Sequence, residues 1–150
     1  MKIATWNVNS IRTRKDQVLA FLAEEAPDVV GLQEIKVTDD QFPAAAFQEA
    51  GYTPVVFGQK TYNGVAFLAR TETVTAEEVV RGFPGDGEEA QARLIAARFG
   101  PLRLVNIYLP NGSEVGSEKY AYKLDWMERL RTWLDEAFDP AEPVVLVGDF

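Results

Sequence analysis

A chain of 150 residues has the length of one domain and room for a real hydrophobic core, and 47% hydrophobic with 25% charged residues describes an ordinary globular protein. It contains no Cys and no His, which excludes disulfides, thiolate chemistry, Cys-based zinc sites and the commonest general base, so catalysis would rest on carboxylates, amides, Tyr or Lys, with a metal as natural helper. A net charge of −8 removes any overall attraction to nucleic acid, so phosphate binding requires a local basic patch.

In chain order, Lys2 to Asn7 reads as a strand. It is too short and too polar for a signal peptide, and no later apolar run approaches membrane-spanning length. A cytoplasmic protein without membrane contact is expected. Ser10 sits at an N-cap position, and Ile11, Val18, Leu19 and Leu22 follow with helical spacing until Pro27-Asp28 breaks the run. Val29 to Glu34 is a nearly all-apolar strand, as expected where both faces are covered. Asp39 to Ala50 reads as a short helix stopped by Gly51.

Tyr52–Phe57 and Gly64–Ala69 read as strands around a turn at Thr61-Tyr62-Asn63, and Thr73–Val80 as a further strand. The Gly and Pro content of Arg81 to Gly87 marks a loop. Arg93–Phe99 and Leu102–Leu109 flank Gly100-Pro101 as a hairpin, followed by a polar loop from Pro110 to Gly116. Tyr120, Leu124, Met127, Leu130, Leu134 and Ala137 carry the clearest helical period, ended by Pro140 and Pro143. A last apolar strand, Pro143 to Val147, delivers Gly148-Asp149-Phe150 and should be central in its sheet. The pattern predicts one layered α/β domain over residues 1–150, with no linker, repeat or low-complexity segment.

The strand ends carry the chemistry. Asn7 and Asn9 close the first strand, Gln33-Glu34 the second, Tyr108 a later one and Asp149 the last. Each has an ordinary reading as a turn, cap or rim residue. Strands packed side by side can instead gather these groups at one rim, where oxygen ligands suit a hard divalent cation. Lys36, two residues beyond Glu34, can add a phosphate contact on the same side. Gly148 permits close backbone approach beside Asp149, whose carboxylate could act as general base for a metal-assisted water.

Four segments together resemble exonuclease III, the bacterial abasic-site endonuclease branch of the endonuclease/exonuclease/phosphatase superfamily. They are Thr5-Trp6-Asn7-Val8-Asn9-Ser10-Ile11-Arg12, Leu32-Gln33-Glu34-Ile35-Lys36, Tyr108-Leu109-Pro110-Asn111-Gly112 and Gly148-Asp149-Phe150. Arg81-Gly82-Phe83-Pro84-Gly85-Asp86 and Glu89-Ala90-Gln91-Ala92-Arg93 favour this branch over its relatives. The resemblance implies a four-layer α/β sandwich, two mixed sheets face to face with helices outside. It implies a monomeric nuclease that uses Mg2+, with Mn2+ as a substitute, and acts on duplex DNA at abasic sites or 3′ ends. Incision 5′ to the abasic site, 3′-to-5′ exonuclease action and removal of blocked 3′ ends are the implied activities.

By the same resemblance, Glu34 is the main metal ligand with Asn7 beside it, and Asp149 activates or orients the attacking water. Tyr108 and Asn111 contact the scissile phosphate, and Asn9, Lys36, Tyr62 and Arg93 contact the DNA. The family also has an Asn after the position of Phe150 and a later Asp and Asp-His pair, none of which this sequence contains. The chain is therefore expected to be the N-terminal portion of such a domain, inactive in isolation. Two alternatives stand beside the nuclease. One is a phosphatase or phosphodiesterase of the same superfamily, which the Arg81–Asp86 loop and Lys36 disfavour; the other is a DNA-binding remnant without catalysis.

Overall fold

The computed structural model describes residues 1–150. Eight strands and three helices occur in the order β1 (Ile3–Asn7), α1 (Ile11–Glu25), β2 (Val29–Gln33), α2 (Ala44–Glu49), β3 (Tyr52–Phe57), β4 (Val65–Arg70), β5 (Ala76–Arg81), β6 (Leu94–Phe99), β7 (Leu102–Tyr108), α3 (Glu118–Ala137) and β8 (Val144–Asp149). They form two four-stranded sheets, β1-β2-β4-β3 and β5-β6-β7-β8. Both are mixed: β1 runs parallel to β2, and β7 parallel to β8, while the remaining pairs are antiparallel.

Alternation along the strands builds the layers. In β2, Val30 and Leu32 point outward to α1 and α2, meeting Val18, Leu22 and Phe47, whereas Val29 points inward. The inner layer joins Val29, Val65, Phe67 and Ala69 of the first sheet to Ile95, Ala97, Phe99 and Leu104 of the second. Phe67 meets Phe99 edge-on, with ring centroids 5.3 Å apart. On the far face, Val105 and Ile107 of β7 meet Trp126 and Trp133 of α3. Three apolar interfaces between four layers are the expected α/β/β/α sandwich. No helix is long and apolar enough to cross a membrane.

Three local expectations are corrected. The helix read over Asp39–Ala50 is interrupted: a 3₁₀ turn at Asp39–Gln41 precedes Phe42, which is extended at φ −65° and ψ 133°, before α2 begins. Pro43 excludes the helical conformation from the residue before it. The strand read from Thr73 starts only at Ala76, because the amides of Thr73 and Val74 turn back onto the Arg70 carbonyl. It then bulges between Glu77 and Val80 and continues through Arg81.

The third correction concerns α3. Its core face is Trp126 and Trp133 with Leu130 and Leu134, while Leu124 and Met127 remain 49% and 43% exposed. The helix carries two apolar stripes, and the one with larger aromatic area wins the sheet. Phe83 fixes that choice, with its ring 5.2 Å from Trp126 and 6.2 Å from Trp133. Within residues 1–150, β8 pairs with β7 and is the last strand of its sheet. Its apolar run is half-buried, with Val147 against the inter-sheet layer and Val144 and Leu146 against the α3 layer, while Val145 is exposed.

Candidate active site

The carboxyl ends of the two parallel strand pairs meet at one edge of the sandwich. Asn7 ends β1 opposite Gln33 of β2, and Tyr108 ends β7 opposite Asp149 of β8. The Asn7 side-chain amide spans both sheets. Its Nδ2 donates to Glu34 Oε1 at 2.7 Å and to Asp149 Oδ2 at 2.7 Å. Its Oδ1 accepts from the Asn9 amide at 3.0 Å.

Glu34 and its neighbours hold unusual backbone. Asn9, Ser10, Glu34 and Lys36 all have positive φ, at 42°, 99°, 52° and 56°. For a residue with a side chain this region costs on the order of 1 kcal/mol or more, and such strain gathers where a site over-determines its geometry. Here the determinants are main-chain bonds. Ser10 donates to the Glu34 carbonyl at 2.8 Å, Ile35 to Gly64 at 3.2 Å and Lys36 to Asn63 at 3.0 Å. The turn carrying Tyr62 is thereby tied to the loop carrying Lys36.

Lys36 Nζ sits 2.5 Å from Asn9 Oδ1 and 3.2 Å from Glu34 Oε2. Burial raises the Glu34 carboxyl, but the contacts with Asn7, Lys36 and Tyr108 outweigh it and hold the group below its ordinary value of 4.5. Tyr108 is pushed upward by burial and by the adjacent Glu34 carboxylate, so its phenol stays protonated at neutral pH. Arg93 stacks over the Tyr108 ring with its guanidinium 4.7 Å from the centroid. It also donates to the Gln91 side chain at 2.6 Å and the Tyr108 carbonyl at 3.2 Å.

A lowered folded-state pKa gives a definite sign. The stabilisation from ionised Glu34 is fully present above 4.5 and is lost as pH falls through the folded value below it. The melting-temperature difference between the protein and Glu34→Gln is therefore expected to be constant from pH 7 to about 5 and to shrink below pH 4.5, read by circular dichroism. A difference that grows on acidification would contradict the site geometry.

Asn7, Asn9, Glu34, Lys36 and Asp149 thus form one hydrogen-bonded group, with Tyr108 and Arg93 against it. Asn111 lies in a neighbouring cleft with Gln91, Arg93, Lys119 and Tyr122. Tyr62 is 67% exposed on its turn. Lys119 and Tyr122 escaped the sequence reading. Their signal is that α3 starts just after the Asn111 loop, so its first turn lands beside that residue. No three acidic, His or Cys side chains are placed to hold a metal ion together. The two carboxylates held by the Asn7 Nδ2 offer hard oxygen, and so few protein oxygens suit an ion that keeps most of its waters.

The Endonuclease/Exonuclease/phosphatase family model matches residues 4–150. An exodeoxyribonuclease III from Haemophilus influenzae is 38% identical, over 99% of this chain and 57% of that protein. The structure of a 3′-5′ exonuclease from Neisseria meningitidis superposes with a TM-score of 0.93 at 42% identity, covering 100% of this chain and 57% of that one. An AP endonuclease from Archaeoglobus fulgidus superposes at 0.92 with 40% identity, covering 99% and 56%. The chain thus spans little more than half the length of the proteins it matches.

Proposed function

The chain belongs to the Endonuclease/Exonuclease/phosphatase family, and from that premise we propose that its rim serves a Mg2+-dependent DNA-repair nuclease acting on duplex DNA at abasic sites and 3′ ends. The observation that carries this reading is the Asn7 amide, held 2.7 Å from both Glu34 and Asp149. One neutral donor draws two carboxylates from different sheets to one point without discharging either.

Glu34 and Asp149 are the groups that would hold the metal, with Mn2+ as a substitute; when bound, it neutralises charge on the phosphate. Asn7 sets the orientation of both carboxylates. Asp149 is exposed at the strand end and can take a proton from an attacking water. Tyr108, kept protonated, can donate to a phosphate oxygen, and Arg93 holds its ring from behind. Asn111 and Lys119 in the adjoining cleft extend the surface for the DNA backbone, with Asn9, Lys36 and Tyr62 on the other side.

A net charge of −8 makes DNA affinity depend on few cations. Lys36→Ala and Arg93→Ala are each expected to flatten the salt dependence of duplex affinity by about one unit of slope. Fluorescence anisotropy across a salt series checks this. Unaltered affinity and slope in both would make them purely structural cations.

The function is tested with a 5′-labelled duplex carrying one abasic site. Mg2+-dependent incision 5′ to the lesion by the protein to which these residues belong, abolished by chelator, is the expected result. Tight binding with no incision under any divalent ion would favour the DNA-binding reading. Release of inorganic phosphate from small phosphomonoesters alone would favour the phosphatase reading.

A further inference from the structure

In its buried interior, the contact between the two sheets carries polar side chains at one place. Gln33 of β2 and Asn106 of β7 are 1% and 0% exposed, one level below the rim. Gln33 Nε2 donates to Asn106 Oδ1 at 2.6 Å, to Thr5 Oγ1 at 2.9 Å and to the Gly31 carbonyl at 3.1 Å. Asn106 Nδ2 donates to the Leu32 and Ala66 carbonyls at 2.9 and 3.0 Å. A single amide of the second sheet therefore clamps two strands of the first. No buried side-chain polar atom is left without a partner.

The rim is stacked on this level. Side chains two apart on a strand share a face, so Thr5 lies beneath Asn7, Asn106 beneath Tyr108 and Val147 beneath Asp149, while Gln33 immediately precedes Glu34. Room for the amides is provided by Gly31. A Cβ there would lie 3.0 Å from Asn106 Cγ and 3.1 Å from Val147 Cγ2.

We propose that the buried Gln33–Asn106 amide bridge is the positioning element of the candidate active site, setting the spacing of the two sheets so that Glu34 and Asp149 face the same Asn7 amide. An apolar pair of similar volume would hold the sheets together without the cost of burying four polar atoms. Apolar packing is non-directional, however, and tolerates small sliding. Hydrogen bonds between amides do not, because they weaken steeply with misalignment. The need is specific to this edge: two like charges on opposite sheets repel, and the bridge beneath resists their splaying. For the carboxylates as ligands the inference rests on the metal-binding reading of the rim; for the geometry it does not.

The test follows the Asn7 side-chain amide by 15N NMR, together with Mn2+ affinity by electron spin resonance and thermal melting. In Asn106→Leu the Asn7 signals are expected to move toward those of a free Asn side chain, and Mn2+ affinity to fall about tenfold, equivalent to about 1.4 kcal/mol. The swapped pair Gln33→Asn/Asn106→Gln keeps the bridge length and is expected to restore the Asn7 signals and bring affinity within about twofold. A folded Asn106→Leu protein with unmoved Asn7 signals and full Mn2+ affinity would overturn the proposal. If Asn106→Leu does not fold, Gln33→Met decides, since it removes the donor to Asn106 while the Asn106 bonds to the Leu32 and Ala66 carbonyls remain. Displaced Asn7 signals then support the bridge, and unmoved ones overturn it. Asn7 signals that follow the bridge in a protein binding no Mn2+ would sink the metal reading and leave the positioning role standing.

Discussion

Glu34→Gln is expected to weaken Mn2+ binding about a hundredfold or more, a loss of about 2.7 kcal/mol, and to abolish Mg2+-dependent incision of abasic DNA. The change keeps the side-chain shape and removes one charge. Glu34 now accepts from Asn7 through Oε1 and pairs with Lys36 through Oε2. An amide there would turn its NH2 toward one of these donors and leave Asp149 as the remaining carboxylate. Hydrogen bonds of this kind are each worth about 1 kcal/mol, and for a domain of this size 1 kcal/mol moves the melting temperature by about 2–4 °C. Stability should therefore drop only slightly at pH 7 while function disappears. Near-normal turnover in saturating Mg2+ would remove Glu34 from the metal site.

Gly148→Ala is expected to do the opposite, destroying stability first. Gly148 has φ +146°, a conformation open in practice only to glycine. A Cβ on it would lie 2.0 Å from the Ile107 carbonyl oxygen and 2.9 Å from its carbon. These are backbone atoms of the neighbouring strand, so no side-chain rotation relieves the overlap. β8 must tear away from β7 around the Ile107–Gly148 pair, taking Asp149 with it. A cost of about 4 kcal/mol is a large part of the 5–15 kcal/mol that holds a typical domain. The melting temperature should fall by about 8–16 °C, or cooperative melting should vanish. A Gly148→Ala protein that melts like the parent would mean that β8 lies farther from β7 than the structure has it.

These two residues show how the site was legible. Glu34 and Asp149 each follow a short apolar run, and that pattern marks a buried strand delivering a carboxylate to an edge. The neighbouring positions were harder. Gln33 ends β2 beside Glu34 and Asn106 is a lone polar residue within β7, and both are equally what a solvent-facing position looks like. Leu124 and Met127 have the right helical period for a core face, yet the adjacent stripe of Trp126 and Trp133 took the sheet. Pro43 could have been read directly, since its effect on Phe42 is a local steric rule.

By itself, then, the sequence determined what is set within a few residues of chain: the strands and helices, the chemical character of the rim groups, and through its four motifs the family. Tertiary structure alone decided which groups meet. Asn7 and Asp149 are 142 positions apart and belong to different sheets, yet they share a 2.7 Å hydrogen bond. Gln33 and Asn106, 73 positions apart, became an inter-sheet bridge instead of two surface amides. Alternation says that a side chain leaves the strand on one face or the other. Only the packing of one sheet on the other says what lies opposite, because face-to-face register is fixed by the summed fit of Phe67, Phe99, Leu104 and their neighbours and by no local signal.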